Sequence, residues 1–152
     1  MTQTYALLMN GDTWFSSPSI DKGEADDIRA MLRRMDAAKF YSLLLWKLPP
    51  GKSLDDVSPF EDANEYIQCA GLAERMTVEV RRLKGDEYEH FVVGRASSGE
   101  NPGKKETIHW DDIDTLVAPN EVFSADEAAD LFLSYYRTGW VPSNYVLRPL
   151  SI

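Results

Sequence analysis

The middle of the chain carries the pattern that most constrains the fold, an alternation of apolar and polar residues with a period of two. In MTVEVRRL, Met76, Val78 and Val80 alternate with polar residues, as in a β-strand with one buried and one wet face. The turn KGDE follows, and YEHFVVGR comes after it. Two such runs joined by a short glycine-containing turn predict an antiparallel hairpin. The preceding run EYIQCAG predicts either part of the same bent strand or a separate strand.

Further strands and a helix flank this hairpin. The run TYALLM ends in an Asn-Gly-Asp turn and predicts a strand, and TIHW predicts another short one. KFYSLLLWKL is nearly continuous in β-favouring residues until PPG ends it, which predicts a central strand covered on both faces. In SIDKGEADDIRAMLRRMDAAK, helical spacing predicts a helix that packs on the core through Ala25, Ile28, Met31, Leu32 and Met35.

The segment FSADEAADLFLSYYRTGWVP has the markings of a complete helix. Ser124 and Glu127 have the spacing of a capping box, and acidic residues of the first turn complement the helix dipole. Gly139 predicts a left-handed C-terminal cap, which would let Trp140 fold back on Tyr135. The buried face is predicted to comprise Ala128, Leu131, Phe132 and Tyr135.

Together these elements predict an α+β fold, with a mainly antiparallel sheet packed against helices. A length of 152 residues suits one hydrophobic core, so residues 1–152 are expected to form a single domain. The longest apolar run is too short for a membrane helix, and the chain does not open on a signal segment. A single cysteine, Cys69, agrees with a reducing compartment, and we therefore expect a cytoplasmic protein.

The charge is strongly acidic and unevenly distributed, with a net charge of −9. Neither the stretch between Lys52 and Arg75 nor that between Lys105 and Arg137 contains a lysine or arginine. Such a field repels nucleic acid and favours a basic partner, although acidic surfaces also serve solubility alone. The acids of the two stretches are Asp55, Asp56, Glu61, Asp62, Glu65 and Glu74, and Glu106, Asp111, Asp112, Asp114, Glu121, Asp126, Glu127 and Asp130.

No residue pattern indicates catalysis or metal binding. His90 and His109 lack the closely spaced second ligand typical of zinc sites, and Cys69 lacks a nucleophile elbow. GENPGKK differs from a phosphate-binding loop in spacing, and its flanking pattern runs from strand to strand. We therefore predict no catalytic residue, cofactor or metal, although paired carboxylates such as Glu61 and Glu65 leave acid–base chemistry open.

The segment NEVFSADEAADLFLSYYRTGWVPSNYVLRPL resembles the closing segment of immunity protein family 1 of bacterial polymorphic toxin systems. The shared order is an Asn-Glu-Val-like entry at Asn120, an alanine-rich helix, a Thr-Gly turn at Thr138 and a final strand from Tyr145 to Leu147. YIQCAGLAERMTVEVRR and HFVVGR resemble the central strands of that family. The resemblance covers residues 65–150 and does not extend to residues 1–64.

The resemblance implies a small cytoplasmic antidote that binds a toxin domain, often a nucleic-acid deaminase, and blocks it without catalysis. Because toxin-facing surfaces vary within the family, it implies no particular contact. The acidic composition independently favours capture of a basic, nucleic-acid-binding enzyme. Two alternatives stay open: an acidic regulatory module for another basic partner, and a small hydrolase that uses dispersed carboxylates.

We predict that the partner is bound by acids outside the helix caps, because binding residues concentrate in loops and these acids have no nearby sequence cation. Trp110, beside the first group, is a candidate apolar anchor, although a short strand commonly buries such an aromatic residue. The first group is Asp111, Asp112 and Asp114, and the second is Asp55, Asp56, Glu61 and Asp62.

Overall fold

The computed structural model describes residues 5–10, 13–17, 24–49, 52, 56–58, 64–96 and 105–150. In chain order the elements are β1 (Tyr5–Met9), β2 (Thr13–Ser17), α1 (Glu24–Arg33), β3 (Ser42–Lys47), β4 (Tyr66–Leu72), β5 (Arg75–Lys84), β6 (Glu87–Arg95), β7 (Glu106–Trp110), β8 (Ile113–Val117), a 3₁₀ helix (Pro119–Glu121), α2 (Ala125–Thr138) and β9 (Tyr145–Pro149).

Within the described residues, seven strands form one sheet in the order β2-β1-β3-β4-β5-β6-β9, and every neighbouring pair is antiparallel. β7 and β8 pair with each other as a separate two-stranded hairpin. The predicted α+β fold, with a mainly antiparallel sheet against helices, is confirmed. The runs EYIQCAG and MTVEVRRL are two strands, β4 and β5, because the chain turns at Ala73 and Glu74 between them.

Both α-helices of the described residues pack on one face of this sheet, where the larger hydrophobic core lies. α1 contributes Ile28 and Leu32, as its spacing predicted, and α2 contributes Leu131 and Phe132. Burying each such side chain stabilises the fold by roughly 1.5–3 kcal/mol before entropy is counted. Neither described helix combines the length and the apolar character that crossing a membrane requires. The sheet residues of this core include Leu43, Leu45, Ile67, Cys69, Val78, Val80 and Val93.

The ends of α2 follow the local signals in the sequence. The Ser124 hydroxyl accepts a hydrogen bond from the Glu127 N–H, and the Glu127 side chain reaches back to the Ser124 N–H, which forms the capping box. Gly139 ends the helix in the left-handed region, with φ of 79°. The Trp140 ring, which follows this cap, lies edge-on to Phe91 and beneath the Arg82 guanidinium.

The opposite face of the sheet is covered in two parts. Leu44 and Trp46 of β3 enter a second apolar cluster, so the predicted burial of β3 on both faces is confirmed. Further along, β7 packs against β4 and β5. The prediction that the polar face of β5 is exposed to solvent is therefore wrong at Thr77, which is only 2% exposed. The hairpin that covers this face holds the first group of predicted binding residues.

Candidate partner-binding surface

The β7–β8 hairpin is seated on the sheet through its inward face. Ile108 and Val117 on that face are buried. Gly71 of β4 makes the close approach possible: a Cβ atom there would lie 2.4 Å from the Arg75 carbonyl oxygen and 3.0 Å from the Ile108 Cγ2 atom. With φ of 133°, Gly71 also adopts a backbone conformation that other residues rarely take. A glycine in the sheet therefore positions the hairpin above it.

Both ends of the hairpin are tied to the rest of the fold. At its start, the Arg75 guanidinium lies 3.0 Å from the Glu106 carboxylate and also donates to the Thr107 carbonyl. At its turn, the Asp111 N–H donates to the Ala37 carbonyl at 2.8 Å. A two-stranded hairpin is marginally stable by itself, so these attachments hold the turn in place.

The outward face of the hairpin exposes apolar and acidic groups together. Leu116 on this face is 64% exposed, while Ile113, which pairs with Trp110 on the other side of the hairpin, is 46% exposed at the turn. Asp114 and His109 stand opposite each other on this face and contact through a carboxylate oxygen and the imidazole Nδ1 atom. Exposed apolar side chains beside charged ones are typical of surfaces that bind other proteins. This edge of the molecule is therefore the candidate surface.

The structure places the predicted acids unequally. Asp111 and Asp112 form the exposed turn of the hairpin, and neither makes an ion pair with another described residue. The predicted loop position of Asp114 is wrong, because pairing with His109 extends β8 through it. In the second group, Asp56 is exposed. The remaining three acids of that group, Asp55, Glu61 and Asp62, lie outside the described residues.

Trp110 takes a position between the two predicted for it, core residue and exposed anchor. Its side chain is half-buried, and the indole Nε1–H donates to the Thr115 hydroxyl at 2.9 Å. The indole ring lies 6.0 Å from the Tyr41 ring, centroid to centroid. The polar edge of Trp110 is therefore used within the hairpin, while its ring borders a cleft.

This cleft, of about 220 Å³, lies where the hairpin turn meets β1 and the segment that leads into β3. Among the described residues, the non-glycine residues with positive φ are Asn10, Ala37 and Asp111, and all three are found here. Such conformations are sparsely populated and persist where the surrounding structure enforces them, often at functional sites. The residues that line the cleft include Leu8, Asn10, Tyr41, Trp110, Asp111 and Ile113.

Sequence reasoning missed the contributions of Asn10 and Tyr41 to this cleft. The Asn10 side chain accepts hydrogen bonds from the N–H groups of Tyr41 and Ser42 and donates to the Lys39 carbonyl. The Asn-Gly-Asp signal predicted a turn at this point, but a turn signal does not say which distant segment the turn will bind. These contacts bring the end of β1 against the same segment that receives Asp111.

The other acids of the second cation-free stretch meet arginines from distant parts of the chain. Asp126 pairs with Arg29 and Arg33, and the hydrogen bond from Arg29 is the largest cause that lowers the pKa of Asp126. Glu127 lies 3.2 Å from Arg95. The remaining pairs are Asp130 with Arg29, Glu106 with Arg75, and Glu121 with Arg148. The unpaired charge of this stretch is therefore concentrated at the hairpin turn.

A second polar cluster lies on β5 and β6, where the His90 Nε2 atom is 2.5 Å from the Glu79 carboxylate. The His90 Nδ1 atom and the neighbouring Arg81 Nε atom are buried without a hydrogen-bond partner. An acid–base catalyst has to reach its substrate, and a ring nitrogen closed off from solvent does not. Glu65, a candidate for acid–base chemistry, accepts a hydrogen bond from the Leu83 N–H instead.

No metal centre is formed by the described residues, among which no three or more histidine, cysteine, aspartate or glutamate side chains cluster. Comparison with known proteins finds no matching family model, no matching curated protein and no matching solved structure.

Proposed function

We propose that this chain is an immunity protein, an antidote that binds a cognate toxin domain and blocks it sterically in the cytoplasm. The toxin is proposed to be a nucleic-acid-targeting deaminase. The resemblance of residues 65–150 to immunity protein family 1 supports this assignment. The net charge of −9 supports it further, because an enzyme that acts on nucleic acid usually has a basic substrate groove.

The observation that carries the proposal is the unpaired acidic turn of the β7–β8 hairpin beside exposed apolar side chains. The negative charges of Asp111 and Asp112 are not neutralised, since neither residue forms an ion pair with a described residue. Ile113 and Leu116 supply apolar surface within the same hairpin. Unpaired charge accelerates association and apolar contact slows dissociation, so the two together suit capture of a basic protein.

The proposed mechanism is occlusion. Carboxylates of the hairpin turn occupy positions in the toxin that otherwise hold substrate phosphates, and Trp110 with its neighbours contributes apolar contact. Asp56, with Asp55, Glu61 and Asp62, is proposed as a second acidic contact. The chain performs no catalytic step. Inhibition of the toxin requires only that the complex dissociates slowly enough to keep substrate out.

Coexpression tests this proposal. The neighbouring reading frame is inspected for a large secreted protein with a toxic C-terminal domain, and the chain is produced in bacteria together with that domain. We expect growth to be restored by the wild-type chain and lost with the triple variant Asp111→Lys, Asp112→Lys, Asp114→Lys. The matched control reverses three exposed acids elsewhere on the described surface, Glu74→Lys, Asp86→Lys and Glu87→Lys, and should still protect.

The proposal fails if the neighbouring toxin is not neutralised and the purified chain instead turns over a substrate. If the chain instead binds a basic partner other than the neighbouring toxin, the regulatory-module alternative is supported. Folding of each variant is checked by its melting temperature, because loss of protection by an unfolded protein carries no information.

A further inference from the structure

The cleft beneath the β7–β8 turn is too small for an ordinary small-molecule site. Its volume is about 220 Å³, whereas pockets for drug-sized ligands span about 300–1,000 Å³. It is bordered by exposed hairpin residues, so an approaching protein can reach it. The dimensions suit one inserted side chain.

Three side-chain hydrogen-bond donors that line the cleft are already engaged. The Asn10 amide donates to the Lys39 carbonyl, the Tyr41 hydroxyl to the Asn10 carbonyl, and the Trp110 Nε1–H to the Thr115 hydroxyl. An anionic group would therefore find none of these donors available. The Asp111 carboxylate also lines the cleft, makes no ion pair with a described residue and would repel an anion.

Beside Ser42 and Gln68, the remaining surface of the cleft is aromatic and aliphatic. The Tyr41 and Trp110 rings lie 6.0 Å apart, centroid to centroid, at an angle of 32°, and Leu8 and Ile113 complete the apolar lining. Aromatic faces attract cations, and apolar walls accommodate the methylene stem of a long cationic side chain. One acid and two aromatic rings thus complement a cation on an aliphatic stem.

We infer that the cleft is a socket for an arginine side chain presented by the partner protein. A guanidinium group is planar, so it stacks on a tryptophan or tyrosine ring while it hydrogen-bonds a carboxylate. The ammonium group of lysine is a more strongly hydrated point charge and gains less from such a site. The inference rests on the proposed function for the identity of the partner, and on the lining of the cleft for the chemistry.

Titration of the isotopically labelled full chain with blocked amino acids tests the socket without the toxin. N-acetyl-arginine methylamide should shift the resonances of the Trp110 indole N–H and the Asp111 amide in a saturable way. N-acetyl-citrulline methylamide has the same shape without the charge and should bind about fivefold to tenfold more weakly, from the ion pair and cation–π contact that it lacks. The lysine derivative should bind more weakly than arginine.

Two variants of the hairpin turn provide a matched comparison. Asp111→Asn removes the charge while keeping a residue that tolerates positive φ, so it should lose most of the preference for arginine over citrulline. Asp112→Asn removes the same charge from a residue that does not line the cleft and should keep that preference. Equal binding of citrulline, tighter binding of lysine, or an unchanged preference in Asp111→Asn would each overturn the socket.

The outcome is separable from that of the coexpression experiment. If the chain neutralises its toxin but the arginine derivative does not shift these resonances, the socket is wrong and the antidote function stands. If the resonances shift selectively but no toxin is neutralised, the antidote function fails and the socket stands.

Discussion

The acids of the hairpin turn and the acids around α2 come from one cation-free stretch of sequence, yet the fold treats them in opposite ways. Asp126 and Asp130 at the start of α2 meet Arg29 from α1, and Glu121 just before it meets Arg148 from β9. Asp111 and Asp112 meet no cation among the described residues. Charge counted along a sequence is therefore not the charge that a partner encounters, because pairing across the fold removes part of it.

The paired acids also differ among themselves in burial, which decides how much each pair matters for stability. The Glu121 side chain is 4% exposed and receives two hydrogen bonds from Arg148, at 2.8 and 3.0 Å. The Asp126 side chain is 56% exposed, and exposed pairs contribute little because water screens them. We therefore expect the largest effect from breaking the buried pair.

Arg148→Met should destabilise the fold by about 3 kcal/mol, because it leaves the Glu121 carboxylate buried without its cation. The free energy of unfolding is measured by chemical denaturation. Adding Glu121→Gln removes the stranded charge and should recover at least about 1 kcal/mol. A stability of Arg148→Met within about 0.5 kcal/mol of wild type would show that this pair does not hold β9 in place.

Gly139→Val should destabilise the fold by about 1 kcal/mol or more, since a β-branched residue is strained at positive φ. Apart from Gly139 and its two chain neighbours, no atom of the described residues lies within 4 Å of the position that a Cβ would occupy, so the strain comes from the backbone alone. Gly85 also has positive φ and open surroundings, but it lies in the turn between β5 and β6. Gly85→Val is therefore the matched variant with which Gly139→Val is compared. An unchanged thermal midpoint in Gly139→Val would contradict the assigned cap.

Asp126→Asn should have the smallest effect on stability, and that effect should depend on pH. The hydrogen bond from Arg29 lowers the pKa of Asp126 in the folded state, so its contribution is present above the unfolded value of about 3.9 and is lost as pH falls through the folded value. The melting temperatures of variant and wild type should differ at neutral pH, and the difference should shrink as the pH falls below the unfolded value of about 3.9. A difference that stays constant as the pH falls further would contradict the linkage.

The parts of the fold that the sequence predicted are those specified by short-range signals. Ser124, Glu127 and Gly139 specify the ends of α2 within its own turns, and the alternation in β5 specifies a buried face. Arg29 and Asp126 are 97 residues apart, and no local pattern indicates their pairing. The same limit explains Thr77, which is polar by alternation and buried because a distant hairpin covers it.

The candidate surface was predictable in its residue types and not in its shape. Asp111 and Asp112 were identified because they lack sequence cations, and the fold leaves them unpaired among its described residues. Tyr41 and Asn10 were missed, because a cleft is formed by segments whose proximity depends on the whole sheet. Trp110 is half-buried because its ring has one side against Tyr41 and another along the cleft.

The association rate of the chain with the proposed toxin, measured by stopped-flow at low and at physiological salt, tests the central claim most directly. Reversal of Asp111, Asp112 and Asp114 to Lys should slow association about tenfold at low salt and weaken its salt dependence, with the melting temperature retained. Reversal of Glu74, Asp86 and Glu87 changes the net charge equally and should have a much smaller effect. If reversal of the hairpin acids, alone and together with Asp55, Asp56, Glu61 and Asp62, leaves the rate and the affinity unchanged, the toxin binds elsewhere and the electrostatic account is wrong.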